Sequence, residues 1–488
     1  MDSDSLSRRD FLTKAAGLGG AATAFLASPH LFAAGGKSPN FVFILADDQG
    51  WTGTSAAMHA GRKDAQSDYY RTPNLKRLAS QGRRFTQGYA PAALCCPTRR
   101  SIQFGQTPAR MGDDAAFAKR YPTDTNRLTL PRALKAVHPD YLAAHFGKWD
   151  LRSGLAPEHL GYDASDGSTG NRVGSEGTSF NKQDKWRRYG VLDDPKRIFS
   201  ITERGVDFMR RAVEQNRPFY LQLSHYAVHM DMQTRKASLE ACEARPKGEQ
   251  HRIPAFAGMT QDLDDGIGRV LDELDRLGIA DNTYVFYMAD NGAVPWIPPD
   301  KRKHLSNPEE IEDSSRNYPL RAGKWTLFEG GIRVPFMVRG PGVAPGSFCD
   351  TPVAGWDLLP TIAALAGYAP PLPEDLDGVD LRPLLRGQDN HAIGKRPLVF
   401  HRYAAGYAHS AIREGDFKLV QFWQRPENGP MRWPLPPYVD RVQLFDLSSD
   451  LGETRDLSGQ MPEKTARLRK KLMDYLEGVG LDVRPYQN

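Results

Sequence analysis

One stretch constrains this chain more than any other: the unbroken apolar run over residues 41–46, Phe-Val-Phe-Ile-Leu-Ala, followed at once by Asp47-Asp48-Gln49-Gly50. A strand with one wet face alternates polar and apolar residues. A run without alternation belongs to a strand covered on both faces, the usual state in parallel α/β sheets. Ligands bind such sheets beyond the carboxyl ends of their strands. Two adjacent carboxylates at that edge repel one another unless a cation neutralises them. A single aspartate there reads as a helix cap or Asx turn; the pair asks for a cation.

The pattern recurs along the chain. Thr72-Pro73-Asn74 opens a helix with Leu75, Leu78 and Ala79 on one face, and 84–89 reads as the next strand. A helical pattern over 128–137 precedes a strand over 141–146, and an amphipathic segment over 202–213 precedes a strand over 218–223. The helix over 259–277 puts Leu263, Ile267, Val270, Leu271 and Leu274 on one stripe, the spacing of a core-facing helix. The apolar run 283–289 then ends in Asp290-Asn291-Gly292, and a packing helix over 356–366 follows. Strands alternating with helices predict a doubly wound sheet. From about Pro397 the texture changes to short strands over 398–401, 411–413, 418–422 and 443–447, then a charged helix over 463–476.

Chemistry concentrates in Leu94-Cys95-Cys96-Pro97-Thr98-Arg99, with Gly105 behind it. Pro97 suits the first turn of a helix, where its missing N–H costs little. Cys95 then lies beside a helix N-terminus, where the dipole and the Arg99 guanidinium favour an anion and activate a nucleophile. A lone cysteine in such a turn reads as a small buried core residue. The full spacing is more specific than that.

Cys95, Pro97, Thr98 and Arg99 with Gly105 resemble the signature of type I, formylglycine-dependent sulfatases of the alkaline phosphatase-like superfamily. The resemblance implies that a formylglycine-generating maturase oxidises Cys95 to 3-oxoalanine, whose hydrated aldehyde supplies the attacking hydroxyl. It implies one Ca2+ held by Asp47, Asp48, Asp290 and Asn291 with position 95, and hard oxygen ligands suit calcium or magnesium. Arg99, Lys148 of Gly147-Lys148-Trp149, His229, and Lys324 of the Gly323-Lys324 block would join Cys95 as catalytic residues. The chain departs from the family pattern at Gln103 and Phe104, usually Leu and Thr or Ser. It departs again at Asp150, where the family carries histidine, and at Val228, where proline precedes the histidine.

Pattern and resemblance together predict an α/β fold: a large doubly wound mixed sheet flanked by helices, plus a small C-terminal α+β domain with an antiparallel sheet. The expected division is a signal peptide over 1–34, a catalytic domain over 35–395 and a C-terminal subdomain over 396–488. The signal rests on Ser7-Arg8-Arg9-Asp10-Phe11-Leu12 before an Ala/Gly/Leu-rich run. It looks like a twin-arginine export sequence, with a translocase as partner and a periplasmic or secreted destination. No later apolar run is long enough to span a bilayer.

The net charge of +5 at pH 7 suits polyanionic ligands without nominating nucleic acid. The cysteines Cys95, Cys96, Cys242 and Cys349 are too few and too scattered for zinc or a disulfide framework, though one bridge stays open. The polar, glycine-rich stretch 152–189 reads as a substrate-shaping loop, with His159, Arg172 and Trp186 as its candidates. The expected function is hydrolysis of sulfate esters of a sulfated carbohydrate. The alternatives are a phosphomonoester or phosphodiester hydrolase of the same superfamily, or a catalytically weak sulfoglycan-binding protein.

Overall fold

The computed structural model describes residues 37–175, 189–230, 232–294, 316–388, 390–403, 408–423 and 442–483. The twin-arginine segment and Trp186 lie outside the described residues. Eight strands build the main sheet: β1 (Asn40–Ala46), β2 (Arg83–Phe85), β3 (Leu142–Gly147), β4 (Ala164–Ser165), β5 (Phe219–Ser224), β6 (Thr283–Ala289), β7 (Phe336–Arg339) and β8 (Ser347–Cys349). Their order is β8-β2-β7-β6-β1-β5-β3-β4. The run from β6 to β4 is parallel, while β7 is antiparallel to both β6 and β2, so the sheet is mixed as expected. Every residue of β1 and β6 is buried, which is why neither alternates.

Register sets the edge that matters. Ala46 is opposite Ala289, so Asp47 and Asp290 leave neighbouring strands side by side. Leu45 and Gly147 both register with Ser224, which brings Lys148 and the 225–229 segment to the same edge.

Helices cover both faces. α1 (Pro73–Gln81), α4 (Ile198–Glu214) and α5 (Pro254–Arg276) pack together on one side, while α2 (Cys95–Phe104), α3 (Leu130–Val137) and α6 (Leu358–Ala366) form a second group. The period of two along β5 separates them. A Cβ on Gly205 of α4 would meet Leu223 at 2.8 Å and Leu221 at 3.3 Å, whereas Gln222 between them is bonded by Gln103 of α2.

Two expectations need correction. The strand expected over 84–89 is broken: after β2 a two-residue strand, Gly88–Tyr89, pairs with Val353–Ala354 in a separate sheet. Phe336 packs where a Cβ of residue 88 would stand, at 2.3 Å, so the chain steps aside there. Helix α4 also begins earlier than expected, because the Asp194 carboxylate accepts the Phe199 N–H at 2.8 Å and that of Ser200 at 3.3 Å, satisfying first-turn donors.

The C-terminal region forms its own antiparallel sheet of β9 (Leu398–Arg402), β10 (His409–Glu414), β11 (Phe417–Phe422) and β12 (Val442–Asp446). Val399, Ile412, Leu419 and Leu444 pack on Leu468, Leu472 and Leu476 of α7 (Pro462–Gly478). The alternate residues Phe400, Ala411, Val420 and Phe445 pack on Tyr89, Phe328 and Trp356 of the larger unit. All four cysteines are free and buried. Among the described residues no helix is long and apolar enough to cross a membrane.

Candidate active site

The carboxyl ends of four parallel strands deliver the site. Asp47 and Asp48 follow β1, Asp290 and Asn291 follow β6, Lys148 follows β3, and His229 lies five residues beyond β5. Asp48 takes a left-handed backbone with φ 57°, and its N–H donates to Asp290 Oδ1 at 3.1 Å, turning its carboxylate back toward β6. Ligand atoms of Asp47, Asp48, Cys95 and Asp290, all buried, lie within 4.8 Å of one another. Asn291 donates from Nδ2 to Asp48 Oδ1 at 2.7 Å. Its Oδ1 is buried and has no hydrogen-bond partner among the described residues.

Cys95 opens α2 behind Leu94, as the Pro97 argument requires, and its Sγ lies 3.3 Å from Asp47 Oδ1. The helix terminus and Arg99 do not activate the thiol. Burial, then the charges of Asp290 and Asp47, push its pKa well above the usual cysteine value, so the sulfur stays protonated.

Three basic side chains enter from other elements. Lys148 Nζ is 2.6 Å from Asp47 Oδ2. Lys324 Nζ is 2.6 Å from Asp48 Oδ1 and 3.5 Å from Cys95 Sγ. Arg99 donates from Nε and Nη2 to Asp290 Oδ2 at 3.1 and 2.7 Å, and from Nη1 to the Lys148 carbonyl. Burial works to raise the Asp47 pKa, but Lys148, His229, Arg99 and Lys324 outweigh it and hold the carboxyl below the usual range. Asp290 goes the other way, to about 6, through burial and the Asp47 charge. Carboxylates this close cannot all ionise comfortably without more positive charge.

His229 Nδ1 lies 3.0 Å from the Met230 carbonyl oxygen, an acceptor only, so Nδ1 carries the proton and Nε2 faces Asp48 Oδ2 at 3.7 Å. Burial lowers its pKa to about 4, against the pull of Asp48. The ring is neutral near pH 7. Both ring nitrogens of His225 are buried and have no hydrogen-bond partner among the described residues.

Asp150, in the family's histidine position, is buried with φ 49°. Its Oδ1 accepts from Arg152 Nε at 3.2 Å, while Oδ2 is 3.8 Å from Lys148 Nζ and has no hydrogen-bond partner among the described residues. Gln103 donates to Gln222 Oε1 at 3.0 Å in a buried network with Tyr162, Tyr220, Ser224 and His145 under α2. The polar Gln222 inside an apolar strand was the sequence signal for that network. Among the loop candidates, His159 closes a local turn by accepting the Ala156 N–H at 2.8 Å, and Arg172 is exposed.

Sequence reasoning missed how the small sheet reaches the site. His409 Nε2 accepts the Leu327 N–H at 3.0 Å, Glu453 accepts the Glu329 N–H at 2.6 Å, and Arg402 donates to the Trp325 carbonyl. The loop that carries Lys324 is thus gripped from the C-terminal sheet. Nothing local in 398–453 signals this, since each contact crosses more than seventy residues.

A mixed sheet whose parallel strands end in an acidic cluster and three bases around one buried cysteine is suited to holding an anionic ester, and the comparisons say to which class of protein it belongs. Residues 39–368 match the family model Sulfatase, and 322–479 match the model N-sulphoglucosamine sulphohydrolase, C-terminal. The chain is 30% identical to Bos taurus arylsulfatase A over 479 residues, covering 88% of this chain and 85% of that protein. It is 29% identical to Homo sapiens N-acetylgalactosamine-6-sulfatase over 75% of this chain and 69% of that one. The crystal structure of Ps i-CgsB with k-i-k-neocarrahexaose superposes with TM-score 0.70 at 23% identity, covering 91% and 93% of the two chains. The chain belongs to the sulfatase family, and it is a sulfuric ester hydrolase.

Proposed function

We propose that this protein removes sulfate from a sulfated carbohydrate, using formylglycine at position 95 and one calcium ion. The observation that carries the proposal is the gathering of Asp47, Asp48, Asp290 and Asn291 around Cys95, encircled by Arg99, Lys148 and Lys324. The residues fit a hard cation: three carboxylates converge, Asn291 beside them has a buried amide oxygen without a hydrogen-bond partner among the described residues, and oxygen donors of this kind are what calcium takes. A thiol is the one poor ligand in the set, and oxidation of Cys95 replaces it with oxygen. Such a cation polarises sulfate oxygens and supplies positive charge that the site lacks. Formylglycine hydrate offers an oxygen nucleophile and a second hydroxyl for releasing sulfate.

The chain's own residues do the rest. Arg99, tied to Asp290 and the Lys148 carbonyl, fixes the wall behind position 95. Lys148 and Lys324 bring ammonium donors to the same point and bind the sulfate oxygens, a charge-assisted role in a dry site. The basic trio cancels the acidic trio. A divalent cation against Asp150 then leaves one net positive charge, matching the single negative charge of a sulfate monoester. His229, neutral in the free enzyme, presents Nε2 to the cleft. A bound anion favours its protonation, and Nε2–H then donates to the leaving alcohol oxygen.

The carbohydrate assignment draws on the names of the matched relatives, N-acetylgalactosamine-6-sulfatase and a structure holding a neocarrahexaose. The polar stretch 152–189 and the net charge of +5 agree with it. Residues 35–395 form the catalytic domain and 396–488 the subdomain that grips the Lys324 loop. A maturase modifies Cys95, and the twin-arginine translocase exports the folded protein to the periplasm.

The test is sulfate release from a panel of sulfated saccharides by protein whose Cys95 peptide has the mass of formylglycine. Release should require calcium, stop with a chelator, and vanish in Cys95→Ala. Turnover of phosphate esters in preference to sulfate esters, or glycan binding without release by fully modified protein, would sink the proposal.

A further inference from the structure

Arg316 is 4% exposed, and a guanidinium keeps its charge at any working pH. Burying such a charge without an oxygen acceptor is costly. The other deeply buried arginines all have one: Arg99 has Asp290, Arg100 the Leu151 carbonyl, Arg333 Glu329, Arg339 Gln81 and Arg413 the Gly415 carbonyl. Among the described residues Arg316 has none. Its polar contact is Nη1 to Met230 Sδ at 3.3 Å, a weak acceptor, and its Cζ stands 4.8 Å over the Phe256 ring.

Its position is tied to the active site on two sides. Met230 follows His229, whose ring faces Asp48. Asn317, the next residue, donates to the Ala293 carbonyl at 2.9 Å and accepts the Ala293 N–H at 3.0 Å, binding this segment to the turn that carries Asp290 and Asn291. Burial lowers the Arg316 pKa, and Tyr70, then Asp48, act against that fall, so the guanidinium feels some of the charge of the acidic cluster. It does not pair with it.

We infer that Arg316, on a floor of Met230 and Phe256 beside His229, docks a second oxyanion, a sulfate or a carboxylate on the same saccharide whose sulfate ester meets residue 95. This rests on the proposed sulfatase function and narrows its substrate to sugars with two anionic groups. The guanidinium fork suits either oxyanion, and docking the second group fixes which sulfate reaches the nucleophile.

The test is calorimetric binding to Cys95→Ala protein in calcium buffer, which has no nucleophile at position 95 and so holds saccharide without cleaving it. The probes are a monosulfated disaccharide of otherwise neutral sugars (the neutral-sugar probe), a disulfated disaccharide and a monosulfated disaccharide carrying a uronate. At least one doubly anionic probe should bind about ten- to a hundredfold tighter than the neutral-sugar probe, the usual weight of one charge-assisted contact. The probe that gains identifies sulfate or carboxylate. Arg316→Gln should erase that preference while affinity for the neutral-sugar probe stays within about twofold. Arg316→Lys, which keeps charge and loses the fork, should retain part of it, and it decides between the outcomes if Arg316→Gln does not fold. No preference in the parent, a preference that survives both substitutions, or equal loss for all probes would overturn the inference. Failure of the sulfatase proposal would instead show as no sulfate release by wild-type enzyme, which this binding ratio does not read.

Discussion

Two of the buried ionic clusters among the described residues, the active site and the junction of the two sheets, combine carboxylates with lysine and arginine to different ends. At the junction of the two sheets, Lys418 Nζ stands 2.9 Å from both Glu329 and Glu453, and Arg333 Nε is 2.6 Å from Glu329. Tyr89 also donates to Glu329, at 2.8 Å. Burial works to raise the Glu329 pKa, but Lys418 and Arg333 outweigh it and bring it to about 2. In the active site, Asp290 rises to about 6, Cys95 stays a thiol, and Asn291 Oδ1 has no hydrogen-bond partner among the described residues. At the junction Lys418 stands between the two carboxylates, although burial raises the Glu453 pKa as it raises that of Asp290. In the site each aspartate also has a base, yet Asp47, Asp48, Asp290 and Cys95 bring ligand atoms within 4.8 Å of one another, and the repulsion left among the carboxylates is what a cation can relieve.

Breaking each cluster at one carboxylate should separate them most clearly. Glu329→Gln should cost about 3–5 kcal/mol in chemical denaturation, the usual result of removing one partner from a buried pair. Asp290→Asn should lower sulfate release by about a thousandfold, the scale of a lost electrostatic group in a dry site. Its calcium-free stability should stay within about 1 kcal/mol of wild type, since the ionised form is already disfavoured there. Equal stability losses in the two variants would erase the distinction.

Acid sharpens the comparison at intermediate size. Burial lowers His401 in the small sheet and His145 in the main sheet to about 3 from 6.5. Below pH 6.5 the unfolded chain therefore binds protons that these native imidazoles refuse, and stability falls with pH until the folded pKa is reached. Asp264 and Asp290, raised to about 7 and about 6, take up native protons over part of the same range and oppose this, so single-site variants are the clean readout. His401→Asn and His145→Asn should each lie below wild type at neutral pH, and each gap should shrink by about 2 kcal/mol between pH 6.5 and pH 5. A gap independent of pH would mean the native histidine is not neutral.

The smallest effect belongs to the network beneath α2. Gln103→Leu leaves the Tyr162 and Tyr220 hydroxyls on Gln222 at 2.8 and 3.0 Å, so it should cost about 1 kcal/mol of stability with sulfate release little changed. A large loss of activity with the fold intact would make Gln103 part of the machinery.

Much of this is legible in the chain before it folds. The runs ending at Ala46 and Ala289 name the central strands, and Asp47-Asp48 with Asp290-Asn291 name the acidic cluster. Helix α2 starts at Cys95 as Pro97 requires. What cannot be read is partnership. Asp47 takes Lys148, Asp48 takes Lys324 and Asp290 takes Arg99, and no spacing in the chain encodes that assignment. The 84–89 strand looks continuous because its interruption depends on Phe336, a residue far along the chain.

By itself the sequence determined the layers and the strand ends, because burial on one or both faces is written in local periodicity. It also determined the residue types at the sheet edge. Only the tertiary structure decided which charges are satisfied and which are left wanting: among the described residues Asn291 Oδ1 and Asp150 Oδ2 find no hydrogen-bond partner and the Arg316 guanidinium finds only a sulfur. Hydrophobic burial follows from a residue and its near neighbours. Hydrogen bonds and ion pairs follow from whatever a distant segment brings within about 3 Å, and register across the sheet sets that distance.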